Sequence, residues 1–296
     1  MNTDADTATL VDDLLSHLAE GYIFPERAAR AAALIDSRLE RGAYADTDGL
    51  ELCDLISADL FEACNDQHLR LVWHETPISR RDEAELHAAL REQIRLENHG
   101  VRRVELLPDN IGLIELTIIP EPSSGGPSLA AAMRLVENTH ALIFDLRPTR
   151  GGSPDGVVFL ASYLFPDGEV HLSDFVQGPS GPTRQYWTSA YLPGPRYLDR
   201  PVYVLTSVTT FSGGEALAYD LQALRRAVVV GERTRGGAHP SVMVPLTGQI
   251  ELRLPVARSV NAVTGENWEG VGVQPDIVTS AAEALDAALQ AIADPG

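Results

Sequence analysis

The chain has 296 residues, 44% hydrophobic and 22% charged, the make-up of an ordinary globular protein long enough to bury a sizeable core. Its 42 acidic residues against 23 basic ones give a formal charge of −19, a field that repels nucleic acid and anionic membrane surfaces. Every basic residue is arginine, so mechanisms that need a lysine base, a Schiff-base lysine or a P-loop lysine are excluded.

The start, Met1-Asn2-Thr3-Asp4-Ala5-Asp6, is acidic and leads into no apolar h-region, so no secretory signal is expected. No apolar run approaches the length of a membrane span, and the expected location is the cytoplasm. From Ala8 to about Cys64 the pattern is helical, with Leu10, Val11, Leu14, Leu15 and Leu18 recurring at three and four residues. Gly21-Tyr22-Ile23-Phe24-Pro25 separates the first two helices, and Arg41-Gly42-Ala43-Tyr44 closes the second. Cys53 and Cys64 lie in one helical stretch and read as small buried side chains; two cysteines make neither a zinc site nor a disulfide scaffold.

Leu69 to Trp73 reads as a short strand, and Ser79 to His99 as a charged, solvated helix. Val101 to Leu107 and Ile111 to Ile119 read as strands about a turn at Asp109-Asn110, and Pro120 to Pro127 as a loop. Helices from Ser128 to Glu137, Gly156 to Leu164 and Gly213 to Leu224 then alternate with the apolar runs Ala141–Phe144, Val202–Leu205 and Val228–Val230. That alternation predicts an α/β core with a mixed, largely parallel sheet. Phe165 to Leu198 is polar, Pro/Gly-rich and irregular, Ile250 to Val256 alternates like a hairpin arm, and Ala281 to Ala293 is a closing amphipathic helix.

Ligands of parallel sheets sit beyond the carboxyl ends of strands. Two loops fit, Asp145 to Gly152 and Thr206 to Glu215. Ser212 stands at a strand–turn–helix junction, where free amides of Gly213 and of Gly151 or Gly152 would form an oxyanion hole. The same Ser212-Gly213-Gly214-Glu215 is also a capping box, and Gly151-Gly152 also a tight turn, so both readings stay open. A nucleophilic serine needs a base. His68, after Asn65-Asp66-Gln67, and His239, in Arg235-Gly236-Gly237-Ala238-His239-Pro240, are the candidates; each is equally readable as structural. Glu269 is a candidate orienting acid. His17, His74, His87, His99, His140 and His171 read as surface or structural. With no His-x-x-x-His, His-Glu-x-x-His or cysteine cluster, neither a metal nor a cofactor is expected.

Taken in order, these segments resemble the S41 peptidase superfamily: tail-specific proteases, the tricorn protease core and the modules of interphotoreceptor retinoid-binding protein. The carrying motifs are Gly21-Tyr22-Ile23-Phe24, Gly42-Ala43-Tyr44 and Asp66-Gln67-His68-Leu69, then Asn110 to Ile114, Asp145-Leu146-Arg147, Gly151-Gly152 and Thr206 to Glu215. Gly231 to Pro240 and Gly270-Val271-Gly272-Val273-Gln274-Pro275-Asp276 complete them. The resemblance implies a crotonase-like core over 76–296 and a helical subdomain over 1–75; the PDZ domain that tail-specific proteases carry is not expected here. It implies Ser212 as nucleophile. The lysine of the tail-specific dyad is replaced by Gly237, so the resemblance turns to the tricorn arrangement: His68 as base, Glu269 as orienting acid, and Gly213 with Gly151 or Gly152 as the oxyanion hole. His239 is the reserve base. The implied function is a lysine-independent serine hydrolase acting on a peptide, amide or ester. The alternatives are a binding module for a retinoid- or lipid-like molecule, or an enzyme of specialised metabolism on the same fold. The expected partner is a peptide or small-molecule substrate, with no nucleic acid or membrane; a homo-oligomer is compatible with the sequence. An α/β-hydrolase is disfavoured, because Thr210 breaks its Gly-x-Ser-x-Gly elbow.

Overall fold

The computed structural model describes residues 4–78, 91–166, 169–178 and 181–294. In chain order come helices α1 (Asp4–Gly21), α2 (Pro25–Glu40) and α3 (Gly49–Cys64), then strands β1 (Arg70–Trp73), β2 (Val101–Leu107) and β3 (Ile111–Leu116). Next are α4 (Pro122–Val136), β4 (Ala141–Asp145), α5 (Pro154–Ser162), β5 (His171–Gln177), β6 (Thr183–Trp187) and β7 (Val202–Thr206). The last are α6 (Gly213–Ala223), β8 (Val228–Gly231), β9 (Ser241–Pro245), β10 (Ile250–Pro255), β11 (Ala257–Asn261), β12 (Ile277–Val278) and α7 (Ala284–Ala293). The chain forms two compact units. One takes in Met1–Ala88, Phe175–Thr183 and His239–Ser259; the other takes in Ala89–Asp174, Arg184–Ala238 and Val260–Gly296.

In the first unit, local chemistry sets the helix ends. Pro25 opens α2, where its missing N–H leaves no bond unmade. The Asp48 carboxylate accepts the Glu51 amide at 2.9 Å and starts α3. Asn65, left-handed at φ 47°, ends it by donating its amide to the Phe61 carbonyl at 2.8 Å. The buried stripes of α1 (Leu10, Val11, Leu14, Leu18), α2 (Ala28, Ala31, Ile35) and α3 (Leu52, Ile56, Leu60) form one core with an antiparallel sheet of order β1–β10–β9. Ile250, Leu252 and Leu254 of β10 enter that core, so the alternate residues Glu251 and Arg253 lie on the sheet's other face. Cys53 and Cys64 are free and buried here, and burial pushes both thiols up to about 11.

The second unit is built on a six-stranded sheet of order β12–β8–β7–β4–β3–β2, parallel except for β2. Leu142, Phe144, Val202, Val204 and Val229 pack under α4, α5 and α6, while Ile111, Leu113, Ile143, Tyr203, Leu205 and Val230 pack under α7. Both faces are covered, which is why these strands read as unbroken apolar runs. The expected α/β architecture, with a largely parallel sheet and a helical N-terminal region, is the one found.

Three expectations about elements are corrected. The stretch from Pro120 to Pro127 is helix from Pro122 onward. Gly125 serves packing: a Cβ there would come within 2.4 Å of the Pro120 ring. The section from Phe165 to Leu198 holds β5 and β6, whose half-exposed strands mix polar and apolar residues too evenly to stand out. The strand expected to reach Ile119 ends at Leu116, and Ile119 instead bridges to Gly152. Of the helix expected from Ser79 to His99, residues 79–90 lie outside the described residues, and 91–96 are helical.

Asp220 on α6 is buried beneath Asn261, whose side-chain amide donates to it at 2.8 Å. Burial raises its pKa from 3.8 to about 7. Such a carboxyl binds its proton more tightly when folded, so its contribution favours the fold at low pH and is lost as pH rises through about 7. Asp220→Asn keeps the shape and removes the charge. The variant should melt higher than wild type at pH 8, with the gap closing by about 1 kcal/mol per pH unit toward pH 4. Melting curves across that range that run parallel for the two proteins would refute the assignment.

Candidate active site

In the second unit the loops after β4 and β7 are tied together by hydroxyl groups. Ser207 and Thr209 both donate to the Arg147 carbonyl, at 2.7 and 3.0 Å, and Thr210 donates to the Leu146 carbonyl at 2.9 Å. Arg147 in turn forks onto Asp145, with Nε and Nη2 at 2.8 and 2.6 Å from its two oxygens. The Phe211 amide donates to the Thr149 carbonyl at 3.0 Å. A Thr/Ser-rich loop is therefore laced to its neighbour immediately before Ser212.

Ser212 has φ 51° and ψ −113°. An ordinary N-cap serine has a β-region backbone, whereas this conformation is one that glycine favours and that costs a side-chain-bearing residue about 1–3 kcal/mol. The capping-box reading accounts for the Glu215 contact and leaves that strain unexplained. Gly151 and Gly152, at φ 138° and 147°, lie against the serine: a Cβ on Gly151 would sit 3.4 Å from Ser212 Cβ. A Cβ on Gly213 would sit 2.8 Å from the Gly152 amide nitrogen. Gly152 and Gly213 have to be glycine for these backbones to approach, and at Gly151 the positive φ is what calls for glycine. The amides of Gly151, Gly152 and Gly213 enter no hydrogen bond among the described residues. The arrangement is a hydroxyl flanked by unspent backbone donors, the composition of an oxyanion hole.

Glu215 anchors this turn. Its Oε2 accepts the Ser212 amide at 2.7 Å and the Gly237 amide at 2.9 Å, while Oε1 accepts Thr234 Oγ1 at 2.5 Å and the Gly236 amide at 2.6 Å. Burial raises its pKa, and the four donors pull against that rise. Glu269 is reached through the same turn. Its Oε2 accepts the Ala238 amide at 2.5 Å, and the neighbouring Trp268 donates Nε1 to the Gly237 carbonyl at 2.9 Å. Ser212, Gly151, Gly152 and Gly213 are thus brought together, and Glu269 joins them through 234–238.

The two candidate bases belong to the first unit, where both meet Asp66. The ring Nδ1 of His239 lies 2.7 Å from Asp66 Oδ2, the Tyr22 hydroxyl donates to the same oxygen at 3.0 Å, and the His68 amide donates to Oδ1 at 3.0 Å. Burial would raise the Asp66 pKa, but the His239 contact and the two other donors hold it below the usual carboxylate range. Burial pushes His68 down to about 3, with Arg253 and His239 among the charges adding to that shift, so its ring is neutral at pH 7. Asp66 and Tyr22 were not singled out from the sequence. The signal for Asp66 was its place two residues before His68; for Tyr22 no local pattern exists. Of the remaining histidines, His74 lies 2.8 Å from Glu251, and His171 lies 2.7 Å from Asp174 and stacks on Trp187, while His140 is exposed. His87 lies outside the described residues.

Residues 110–279 match the model of peptidase family S41. Among solved structures, a protein of Parabacteroides merdae superposes with a TM-score of 0.68 at 19% identity, covering 98% of this chain and 97% of its own. The photosystem II D1 C-terminal processing protease gives 0.53 at 14% identity, covering 95% and 94%. The tricorn protease gives 0.62 at 13% identity, covering 98% of this chain and 37% of its own.

If the backbone at Ser212 is strained, Ser212→Gly should be more stable than Ser212→Ala by about 1 kcal/mol, because only glycine occupies that region freely. Thermal or urea denaturation of the two variants makes the comparison, and alanine matching glycine would remove the strain.

Proposed function

Since the chain belongs to peptidase family S41, we propose that it is a lysine-independent serine hydrolase that opens a peptide, amide or ester bond through an acyl-enzyme at Ser212. The strained backbone of Ser212 among three glycines carries this reading. A module that merely held an apolar ligand would have no use for a serine held in that strain. The family points to a peptide as substrate.

In the proposed mechanism a neutral histidine takes the Ser212 hydroxyl proton as Oγ attacks the substrate carbonyl. The amides of Gly213 and of Gly151 or Gly152 stabilise the oxyanion, and stabilisation of this kind is worth about 3 kcal/mol per donor. The imidazolium then protonates the leaving group, and water, activated by the same base, releases the acid and restores the serine. His68 is assigned as base, supported by its neutral ring and its family position, and Glu269 is assigned to orient or polarise the site. His239 is the alternative base. Its support is the Asp66 carboxylate at Nδ1, the contact by which an acid fixes a catalytic imidazole.

Mass spectrometry after fluorophosphonate treatment tests the proposal. Wild type should gain one adduct, absent in Ser212→Ala. Loss in His68→Ala with retention in His239→Ala assigns the base to His68, and the reverse assigns it to His239. An intact, folded wild type that takes no adduct would overturn the hydrolase reading.

A further inference from the structure

Helix α6 begins beside Ser212 and carries, two turns further on, a carboxyl group that the chemistry at Ser212 does not use. Asp220 is 1% exposed, on a helix whose positions Leu217, Ala218 and Leu221 are buried as well. Its side chain has one hydrogen-bond partner among the described residues, the Asn261 amide at 2.8 Å. A buried carboxyl with a single neutral donor costs stability that an apolar side chain in its place would not. The reason for the acid lies in its partner.

Asn261 is fully buried, and both ends of its amide are bonded. Nδ2 donates to Asp220 and to the Leu172 carbonyl at 3.3 Å, while Oδ1 accepts the amides of Val263 and Thr264 at 2.9 and 3.0 Å. Those two acceptances turn the chain, as asparagine does in an Asx turn. The backbone closes the same turn: the Gly265 amide donates to the Asn261 carbonyl and the Asn261 amide to the Glu266 carbonyl, both at 2.9 Å. The segment 261–269 therefore starts from a fixed point on α6. A second tie lies one residue away, where Tyr219 Oη is 3.1 Å from Thr264 Oγ1 and the Tyr219 ring is 5.3 Å from that of Trp268. The segment ends on Trp268 and Glu269, which hold the Gly237 carbonyl and the Ala238 amide. That turn gives the Gly237 amide to Glu215, and Glu215 takes the amide of Ser212. The contacts form a closed ring that starts and finishes on α6, with the Asp220–Asn261 bond as its far strut.

We propose that Asp220, seconded by Tyr219, is a positioning residue: through Asn261 it sets where Trp268 and Glu269 hold the glycine-rich turn that Glu215 joins to Ser212. The strut rests on its hydrogen bonds; its consequence for chemistry rests on the hydrolase reading. A group displaced by about 1 Å in a site of this kind costs up to about a hundredfold in rate, so a slack strut is read as slower reaction at Ser212.

The test compares Asp220→Ala, which removes the acceptor, with Asp220→Asn, which keeps it, in the full-length protein. The rate of fluorophosphonate labelling at Ser212, per folded molecule, should fall about tenfold or more in Asp220→Ala and return to within about threefold of wild type in Asp220→Asn. A merely structural Asp220 would change the melting temperature and leave the folded protein labelling at the wild-type rate. That result overturns the proposal, and so does an asparagine variant as slow as the alanine one. If Asp220→Ala does not fold, Tyr219→Ala takes its place in both measurements, and wild-type labelling by that variant overturns the proposal.

Exchange of the Trp268 Nε1–H for deuterium, assigned by the loss of its resonance in Trp268→Phe, follows the segment without any chemistry at Ser212. It should quicken about tenfold or more in Asp220→Ala and stay at the wild-type rate in Asp220→Asn. An unchanged rate in the alanine variant overturns the proposal whatever the labelling shows. A folded wild type that takes no adduct defeats the hydrolase reading alone, and the exchange measurement then decides the strut.

Discussion

The Glu215 carboxylate is the constraint on which the rest of the site depends. It is wholly buried, and its partners are neutral N–H and O–H groups. A buried carboxylate without donors is prohibitively unfavourable. All four donors must therefore be in place at once, and each is a piece of the site: the amide of Ser212, the hydroxyl of Thr234 and the amides of Gly236 and Gly237. One side chain thereby fixes the start of α6 against the Gly-rich turn that also receives Glu269. The strain at Ser212 persists because this network over-determines its backbone.

The sheet explains why that turn lies where it does. Strands β4 and β7 are adjacent and parallel, in a register that sets Asp145 beside Leu205. Their following loops emerge side by side, and the hydroxyls of Ser207, Thr209 and Thr210 reach carbonyls at 146 and 147. The Asp145–Arg147 fork holds those carbonyls in position. Packing on both faces of the sheet makes the strand ends rigid, and a rigid strand end is a precise place from which to project a nucleophile.

Much of this was legible from residue order. The apolar runs at 141–144, 202–205 and 228–230 announced buried parallel strands because both of their faces are covered. Ser212, Gly151, Gly152 and Gly213 were legible as a group because a strand–loop–helix junction with glycines is a local pattern. Less legible were α4, whose Pro and Gly imitate a loop while serving a close helix packing, and β5 and β6, whose half-exposed residues lack a clean period. Asp66 was passed over because its partners, Tyr22 and His239, lie 44 and 173 residues away in sequence. Spacing that long has no local signature.

The sequence by itself determined the class of protein and its chemical limits: no lysine, an α/β alternation, one serine at a helix entry, and an acid three residues later. These depend on short-range period and on residue type, which are present in any window of the chain. The tertiary structure decided what those residues do to one another. Only the folded backbone shows that Ser212 is left-handed in φ, that Glu215 clamps four donors, and that Asp66 gathers both candidate histidines. Only strand register shows that Arg70 and Arg253 face each other across 183 residues of chain. The reason is physical: conformational strain, burial and cross-strand pairing arise from contacts between distant segments, and no local pattern encodes them.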